Sequence, residues 1–501
     1  MAFADYYRRD AVAIAQVLRD FDEAAIKKVL RARVLEIALS AEVETRSEGD
    51  ALADLMVRLA ARLYPTLAFM ATPDVATKLS ELALSINPAI EIVDRPAPDE
   101  TLTIGVGTKP QVSGSDVIYA GSSQWVGRVS WERPQSVGLS RSPFGAGAAA
   151  ALAMAQAFNS LFLGKAARQP FIELPVVPGR PRPLDVMESD TTRVVIVGAG
   201  AVGNAAIWAW ARMPYPPVAV VVDPEVIELS NLQRYVLAER SDVGVLKVDL
   251  ARRFLPAASA VGADWASFVA QAGYRHDIVA VSVDSADGRR AVQATLPNWI
   301  INAWTQPGDL GVSHHRFDGT GACLACLYLP QGQTKNEDAI YAEALGIPEQ
   351  LMQVRALLDR GDPVPDPLLE LVGQRLGVER EAIMAFAGRP IRALYAEGLC
   401  GGALLPIGSA GRPRPEVHVP LAHQSTLAGV MLAARVFVAP AVKDRTLVAR
   451  VNVLGQINAE YVTQMVARDS RGICICEDRD YQAAYSCKYR QQPHSEANND
   501  H

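Results

Sequence analysis

A glycine-rich segment near the middle of the chain has the composition of a phosphate-binding turn. The β-branched run 194–197 precedes Gly198, Gly200 and Gly203, and a helix is predicted to begin among these glycines. The first glycine permits a tight turn, the second lets the backbone approach a phosphate, and the third lets the helix pack on the strand. Free N–H groups at the start of that helix attract an anion. The segment therefore predicts a nucleotide site.

Charged side chains follow the glycines at intervals that suit ATP. Asp223 ends the next predicted strand, about 20 residues beyond the glycines, where a carboxylate binds ribose hydroxyls. Asn231 and Arg234 are three residues apart and share one face of a helical turn, and Lys247 follows them. One amide and two cations suit a triphosphate. Asp284 ends a further predicted strand, where it either binds Mg²⁺ or caps the next helix.

Four of the six cysteines form two close pairs, which indicates metal thiolates in a reducing compartment rather than disulfides. Cys323 and Cys326 lie in a glycine-rich loop and need two further ligands for a tetrahedral zinc site. Cys474 and Cys476 are the best pair, with Cys487 as an alternative to one of them. We expect a structural zinc ion that pins the C-terminal segment to the rest of the chain.

The order of these motifs resembles the adenylation domain of ubiquitin-activating enzymes and of their bacterial relatives of the ThiF and MoeB type, which activate sulfur carriers. The matching pieces are GAGAVG, D-P-E, SNLQR, G-x-x-K, a strand ending in V-D-S and the CxxC loop, in this order over roughly residues 190–480. Three features depart from the family pattern. Glu225 stands where Asp is usual, the second cysteine pair is CxC, and a long insert follows Cys326.

The resemblance implies a reaction and its partners. ATP binds at the glycine turn with Glu225 as a further contact, and Asp284 holds Mg²⁺. Asn231, Arg234 and Lys247 stabilise the phosphates. The C-terminal carboxylate of a small ubiquitin-like protein attacks the α-phosphate, and a conjugating enzyme is the later acceptor. Two-lobed activators of this kind occur in bacterial ubiquitin-like operons, some of them antiviral.

A second step would need a nucleophilic cysteine. Cys400 lies at the end of the insert, where the resembled family carries its crossover loop or a small domain with the catalytic cysteine. It is unpaired and flanked by glycines, so its thiolate could attack the acyl-adenylate to form a thioester. A small buried thiol without chemistry is an equally good interpretation. Cys487 is the alternative nucleophile.

The whole chain is predicted to have an α/β fold with two Rossmann-like lobes that form a pseudo-dimer. The N-terminal lobe has strands and helices but no intact glycine fingerprint, so it resembles the degenerate, inactive lobe of two-lobed activators. The predicted divisions are a helical N-terminal extension (1–62), the inactive lobe (63–172), a proline-rich linker (173–190), the active lobe with its zinc site (191–330 and 400–490), a helical insert in that lobe (331–399) and a disordered tail (491–501).

An arginine from the inactive lobe is a further expectation from the resemblance, because in that family it contacts the ATP phosphates. Arg141 is a candidate, and Arg8 and Arg9 are its rivals. A solvated surface position is the simpler interpretation of each of the three.

Composition and charge limit the function. Hydrophobic residues make up 50% of the 501 residues and charged residues 21%, as in ordinary globular proteins. The net charge of -6 argues against a general nucleic-acid binder. The sequence shows no stretch suited to a membrane span and no signal peptide, which together with the cysteine pattern predicts a cytoplasmic protein.

Three alternatives stay open from the sequence. The chain could activate a sulfur carrier or a small carboxylate without a thioester step. It could be a nicotinamide-dependent oxidoreductase, although the two cations argue against this class. It could also be a non-catalytic scaffold, against which the intact Arg234 and Asp284 argue. Pairing of two chains into a homo-oligomer is also left open.

Overall fold

Two sheets of mainly parallel strands organise the chain in a computed structural model. The residues that the structure describes are 4–18, 22–177, 192–306, 309–330, 337–395, 398, 419–438, 446–455 and 462–489. No helix within these ranges is both long enough and apolar enough to cross a bilayer.

The N-terminal lobe contains a seven-stranded sheet. Its strands are β1 (Val34–Leu39), β2 (Thr66–Met70), β3 (Glu91–Ile92), β4 (Thr101–Val106), β5 (Asp116–Ser123), β6 (Val126–Ser130) and β7 (Phe171–Pro175). Its helices are α1 (Tyr7–Leu18), α2 (Glu23–Arg31), α3 (Ser47–Leu63), α4 (Pro73–Ile86) and α5 (Pro143–Phe162). The strand order is β3-β2-β1-β4-β5-β6-β7, in which β1 to β5 run parallel and β6 and β7 antiparallel.

The C-terminal lobe contains an eight-stranded sheet. Its strands are β8 (Arg193–Val197), β9 (Val218–Val222), β10 (Ser259–Val261), β11 (Ile278–Val281), β12 (Trp299–Gln306), β13 (Asp309–His315), β14 (Leu447–Val451) and β15 (Val462–Met465). Its helices are α6 (Ala201–Ala211), α7 (Lys247–Phe254), α8 (Trp265–Ala272), α9 (Ala286–Ala294), α15 (Ala422–Val438) and α16 (Arg479–Tyr489). The order is β10-β9-β8-β11-β12-β13-β14-β15, with the last three strands antiparallel.

The two lobes repeat one topology, because the first seven strands of each sheet follow the same order. In both lobes a long buried helix, α5 or α15, connects the sixth strand to the seventh. These two helices pack on each other across the junction, and one hydrophobic core spans both lobes. The approach is close, because a Cβ at Gly147 would lie 2.9 Å from both Trp208 and Val430. The prediction of an α/β fold with two Rossmann-like lobes is confirmed.

The prediction of a helical extension over 1–62 is wrong over residues 34–39, although α3 is helical as expected. Helices α1 and α2 form as expected, but residues 34–39 are β1, near the middle of the first sheet. All six residues of β1 are buried. A strand that is buried on both faces has no alternating pattern, and its apolar residues then resemble a helix in the sequence.

The predicted linker over 173–190 also begins too early. Its first residues belong to β7, which pairs with β6 and ends at Pro175. Val176 and Val177 are buried as well. A proline is tolerated at the end of a strand, so proline spacing alone places the boundary poorly. Residues 178–190 and the predicted tail, 491–501, lie outside the described residues.

The insert forms a small helical unit. Its helices are α10 (Glu337–Ala344), α11 (Leu351–Arg360), α12 (Asp366–Leu376), α13 (Arg380–Met384) and α14 (Ile391–Ala393). They enclose a hydrophobic core of their own, which includes Val354, Leu369 and Ile391 and is separate from the core of the lobes. The helical character predicted for this segment is confirmed where the structure describes it.

Candidate functional site

The glycine-rich turn joins β8 to α6 at the carboxyl end of the parallel strands. Gly198 has a φ of 92°, in the left-handed region that favours glycine. A Cβ at Gly203 would lie 2.1 Å from the carbonyl oxygen of Gly198, so a larger residue cannot pack here without movement. At Gly200 the only atom of the described residues within 4 Å of an added Cβ is the Tyr235 hydroxyl oxygen, at 3.5 Å. The backbone of Gly200 is therefore open to a ligand.

The carboxylate predicted to bind ribose is tied to this turn. Asp223, directly after β9, accepts a hydrogen bond from the N–H of Ala199 at 2.7 Å and another from the N–H of Glu225 at 2.9 Å. Burial raises the pKa of Asp223 above its ordinary value. The side chain lines the same cavity as the glycines, so its position relative to the turn is fixed before a nucleotide binds.

Two cations converge on one wall of the site around the ring of Tyr235. The Lys247 ammonium lies 5.3 Å from the centroid of this ring and donates a hydrogen bond to Glu225. Burial disfavours its charge, but Tyr235, Asp223 and the bond to Glu225 together raise the pKa of Lys247. The Arg234 guanidinium lies 5.8 Å from the same ring.

Arg234 offers a donor that the protein does not use. Its Nη1 is buried and has no hydrogen-bond partner among the residues that the structure describes. Burial lowers the pKa of this guanidinium, and nearby Asp284 and Glu228 oppose the shift. A buried donor without an acceptor is costly, so the position suits an anionic ligand that would accept from it.

These groups surround an open cavity of about 760 Å³ at the carboxyl edge of the sheet. Seven of the predicted nucleotide-site residues line it: Gly198, Gly200, Asp223, Glu225, Arg234, Lys247 and Asp284. Asp284 is exposed there and does not cap α9, because that role belongs to Ser285, whose side chain accepts from the N–H of Gly288. Of the two roles that the sequence left open for Asp284, the helix cap is excluded. Asp284 instead lines the cavity, where it could bind a ligand.

Asn231 supports the site without lining it. Its side-chain oxygen accepts a hydrogen bond from the N–H of Glu228 at 3.0 Å, and its carbonyl accepts from the N–H of Arg234 at 3.0 Å. The three-residue spacing in the sequence therefore reflects a turn that Asn231 closes. A contact between Asn231 and the phosphates stays a prediction, because its side-chain oxygen is used in this turn.

Some residues of the lining have no motif in the sequence. Arg9, on α1 of the other lobe, lines the cavity, as do Tyr235, Trp265 and Trp304. Arg141, one of the three candidates for the contributed arginine, is exposed and borders a separate hollow, as the simpler surface interpretation predicted. Sequence spacing could not choose between these arginines, because the choice depends on how the lobes pack. Tyr235 had a local signal, since it directly follows Arg234.

The two cysteine pairs are far apart in the sequence but lie together in the structure. The sulfurs of Cys323, Cys326, Cys474 and Cys476 all lie within 4.8 Å of one another. Individual separations are 3.8 Å between Cys323 and Cys326, 3.5 Å between Cys323 and Cys474, and 3.5 Å between Cys326 and Cys476. Four thiolates around a tetrahedral zinc ion would be about 3.8 Å apart. The donor set and its spacing fit such an ion.

Comparison with known proteins agrees with this architecture. The ThiF family matches residues 187–436, a segment that holds the glycine turn and the other residues that the C-terminal lobe contributes to the cavity lining. The chain belongs to the ThiF family. It is also similar over its length to uncharacterized protein y4jF of Sinorhizobium fredii, with 38% identity over 510 residues and coverage of 98% of both chains.

Relatives with more descriptive names match parts of this ThiF-family chain. The SAMP-activating enzyme E1 of Haloferax volcanii is 27% identical over 202 residues, which are 36% of this chain and 72% of that protein. The adenylyltransferase and sulfurtransferase UBA4 of Saccharomyces cerevisiae is 42% identical over 64 residues, 13% of this chain and 14% of that protein. A crystal structure of E. coli MccB with MccA-N7isoASN covers 59% of this chain and 69% of its own, at 15% identity and a TM-score of 0.35.

The N-terminal lobe of this ThiF-family chain matches a different model. Prokaryotic E2 family C matches residues 38–163. No cysteine occurs in residues 1–322 of the sequence, so this lobe has no thiol that could carry a thioester. Its strand order is nevertheless that of the ThiF-family lobe.

Cys487 is not among the described residues that line the cavity of this ThiF-family chain. Cys487 is exposed on α16, where the hydroxyl of Tyr489 donates to the carbonyl of His276 at 3.0 Å, before β11 begins. Asp284 follows the other end of β11, on the order of 20 Å away by strand length. Cys487 therefore lies at the edge of the sheet opposite the cavity, which does not suit its predicted role as the alternative nucleophile. Cys400 lies outside the described residues.

Proposed function

We propose that this protein is an ATP-dependent adenylating enzyme that activates the C-terminal carboxylate of a ubiquitin-like protein. The observation that carries the proposal is the convergence of the glycine turn, Asp223 and the unused donor of Arg234 on one cavity. Its volume of about 760 Å³ is in the range of small-ligand sites. The family and the names of the archaeal and yeast relatives support adenylation of a carrier protein.

The residues suggest how the cavity would serve this reaction. The open backbone at Gly200 and the start of α6 receive phosphate oxygens, and Asp223 accepts from the ribose hydroxyls. Arg234 and Lys247 stabilise charge on the phosphates. Asp284 is the residue that would hold Mg²⁺, which neutralises the phosphates and orients them.

The bond changes in this step are simple. An oxygen of the carrier's C-terminal carboxylate forms a bond to the α-phosphorus of ATP, and the bond from that phosphorus to the bridging oxygen breaks. Pyrophosphate leaves, and a mixed carboxylic–phosphoric anhydride remains. Catalysis then consists of positioning and of stabilising charge on the leaving pyrophosphate. Arg9 adds a cation from the other lobe.

The fate of the adenylate separates two versions of the proposal. In the first, Cys400 takes the acyl group as a thioester and passes it to a conjugating enzyme. In the second, a sulfur nucleophile attacks the adenylate without a thioester on this chain, and the word sulfurtransferase in the name of the yeast relative is in line with such a step for that protein. The first version needs the segment around Cys400 to reach the cavity, because Cys487 lies at the other edge of the sheet.

A structural zinc ion at the four cysteines belongs to the same proposal. Cys323 and Cys326 follow β13, whereas Cys474 and Cys476 precede α16. An ion bound by all four would hold α16 against the C-terminal lobe and take no part in the reaction. Metal thiolates of this kind also support a cytoplasmic location.

ATP–pyrophosphate exchange tests the proposal. The carrier is a small ubiquitin-like protein, used with a free C-terminal carboxylate and with a C-terminal amide. We expect exchange only with the free carboxylate and a loss of at least about 100-fold in Asp284→Ala. Asp287→Ala is the matched control, because Asp287 is an exposed carboxylate in an ion pair with Arg290, outside the cavity lining. Exchange that is unaffected by Asp284→Ala would contradict the assignment.

A non-reducing gel then separates the two versions. A carrier adduct that forms with ATP, disappears with thiol reductant and is absent in Cys400→Ala would support the thioester. Exchange without such an adduct would favour the sulfur-transfer version. An absence of ATP binding by the wild-type protein would contradict adenylation and favour the scaffold interpretation.

A further inference from the structure

The N-terminal lobe donates hydrogen bonds to the backbone of the loop that follows Arg234. Arg62, near the end of α3, is 1% exposed, and its Nη2 donates to the carbonyl oxygens of Tyr235 and Ala238, the latter at 2.7 Å. One turn earlier on α3, Arg58 Nη1 donates to the carbonyl oxygen of Val236 at 3.1 Å. Two arginines of one lobe thus bind three carbonyls within the segment 235–238 of the other lobe.

This segment holds the cation wall of the nucleotide cavity. It begins with Tyr235, whose ring lies against both Arg234 and Lys247. From the other side, the Asn204 side-chain oxygen accepts a hydrogen bond from the N–H of Leu237 at 2.6 Å. The loop is therefore fixed between α6 of its own lobe and α3 of the N-terminal lobe. A shift of the 235–238 backbone would move Tyr235 and the adjacent Arg234.

Arg58 is held in place by Asp54, and Arg62 is enclosed in the core. Asp54 accepts a hydrogen bond from Arg58 Nε at 2.9 Å, and the same carboxylate accepts from Trp208 Nε1 at 2.9 Å and pairs with Arg212. Beside Arg62, burial raises the pKa of Asp10 well above its ordinary value. Burial lowers the pKa of Arg62 to about 10.

A buried cation is a poor choice if stability alone is needed. Apolar side chains of similar volume stabilise a core as well as buried charges do, and often better. What Arg62 supplies and an apolar residue does not is a fixed direction for two carbonyl groups. These directed hydrogen bonds lie where the N-terminal lobe contacts segment 235–238, which forms one wall of the cavity in the C-terminal lobe.

We propose that Arg58 and Arg62 are positioning residues, through which the N-terminal lobe sets the placement of Arg234 and Tyr235 in the nucleotide site of the C-terminal lobe. This inference rests on the proposed function, because it assigns Arg234 to the ATP phosphates. It gives the degenerate lobe a role that is separate from any cation that it contributes to the cavity. The role requires neither a nucleotide site nor a cysteine in that lobe.

The test compares the affinities of the full chain for ATP and for adenosine by titration calorimetry, together with exchange kinetics. Arg62→Met keeps the length of the side chain and removes the carbonyl hydrogen bonds. We expect ATP affinity to fall about tenfold or more, because a charged hydrogen-bond partner of the phosphates is misplaced. Adenosine has no phosphates, so its affinity should change by less than about twofold. Arg62→Lys, which can still reach one carbonyl, should restore part of the ATP affinity.

Arg46→Met is the matched control. Arg46 also donates to a backbone carbonyl, that of Val137, but both residues belong to the N-terminal lobe. Its loss should leave the ATP affinity unchanged. If Arg62→Met does not fold, Arg58→Met decides. It removes one of the three carbonyl hydrogen bonds, that to Val236, together with the ion pair to Asp54, and should lower ATP affinity in the same selective way.

The outcomes separate this inference from the proposed function. Equal loss of ATP and adenosine affinity in the variants, or no loss of either, would overturn the positioning role while wild-type exchange upholds adenylation. If wild-type protein binds ATP but exchanges with no carrier, the proposed function fails, and selective loss of ATP affinity would still support the positioning role. A wild-type protein that does not bind ATP would overturn both.

Discussion

Gly203 and Gly200 in the phosphate turn should respond differently to the same substitution. Alanine at Gly203 would place its Cβ 2.1 Å from the carbonyl oxygen of Gly198. The atom in the way is backbone and cannot rotate aside, so α6 must move from the turn. We take the upper end of the usual cost of overpacking, about 3 kcal/mol. Each kcal/mol lowers the melting temperature by about 2–4 °C in a lobe of this size, which gives roughly 6–12 °C.

Alanine at Gly200 should affect binding and not folding. Only the Tyr235 hydroxyl lies near the added Cβ, at 3.5 Å, and the φ of -68° is allowed for alanine. We therefore expect a stability change within about 1 kcal/mol, because the small preference for glycine at a helix N-cap opposes the entropic gain of alanine. The methyl group would occupy the path of a phosphate and remove hydrogen bonds to a charged ligand. ATP affinity should fall by about 10- to 100-fold.

Thermal melts without ligand and calorimetric titration with ATP measure the two effects separately. Gly203→Ala should lower both the melting temperature and the ATP affinity, since the helix start that receives the phosphates moves with α6. Gly200→Ala should lower the ATP affinity alone. Unchanged ATP affinity in Gly200→Ala would refute the assignment of the open backbone to a phosphate. An unchanged melting temperature in Gly203→Ala would refute the close packing of α6 on the turn.

Three further predictions concern other parts of the chain. Arg9→Ala should slow ATP–pyrophosphate exchange by about 100-fold, as expected for a charge-stabilising donor, whereas Arg141→Ala should exchange at the wild-type rate because Arg141 lies outside the cavity. Elemental analysis should find about one zinc ion per chain, lost with a lowered melting temperature in Cys474→Ser and retained in Cys487→Ser; a full zinc content in Cys474→Ser would refute the site. Burial lowers the pKa of His423 to about 3. As the pH falls below about 6.5, this imidazole therefore binds a proton in the unfolded state and not in the folded state, and the free energy of unfolding declines. Between pH 7 and 5 this loss should be about 2 kcal/mol in denaturant titrations, and an equally steep decline in His423→Gln would show that other groups cause it.

The sequence determined much of the nucleotide site, because its chemistry is local. The glycine spacing in residues 198–203, the strand before it and the carboxylate of Asp223 are fixed by backbone requirements within about 25 residues. The same holds for Arg234 in its turn. The cysteine pairs also constrained one another, because a tetrahedral thiolate site needs four ligands and the sequence offers few candidates. These groups meet in the structure as their types predicted.

Only the tertiary structure decided what depends on packing between distant segments. The sequence pattern misplaced β1, because a strand buried on both faces has no alternation to mark it. It could not choose Arg9 over Arg141, since the helix that carries Arg9 reaches the cavity only when the two lobes pack. The hydrogen bonds from Arg62 to the carbonyls of Tyr235 and Ala238 have no sequence motif, because every residue has a backbone carbonyl whatever its type. Local rules thus specify the phosphate turn, and the packing of the lobes decides which side chains complete its cavity.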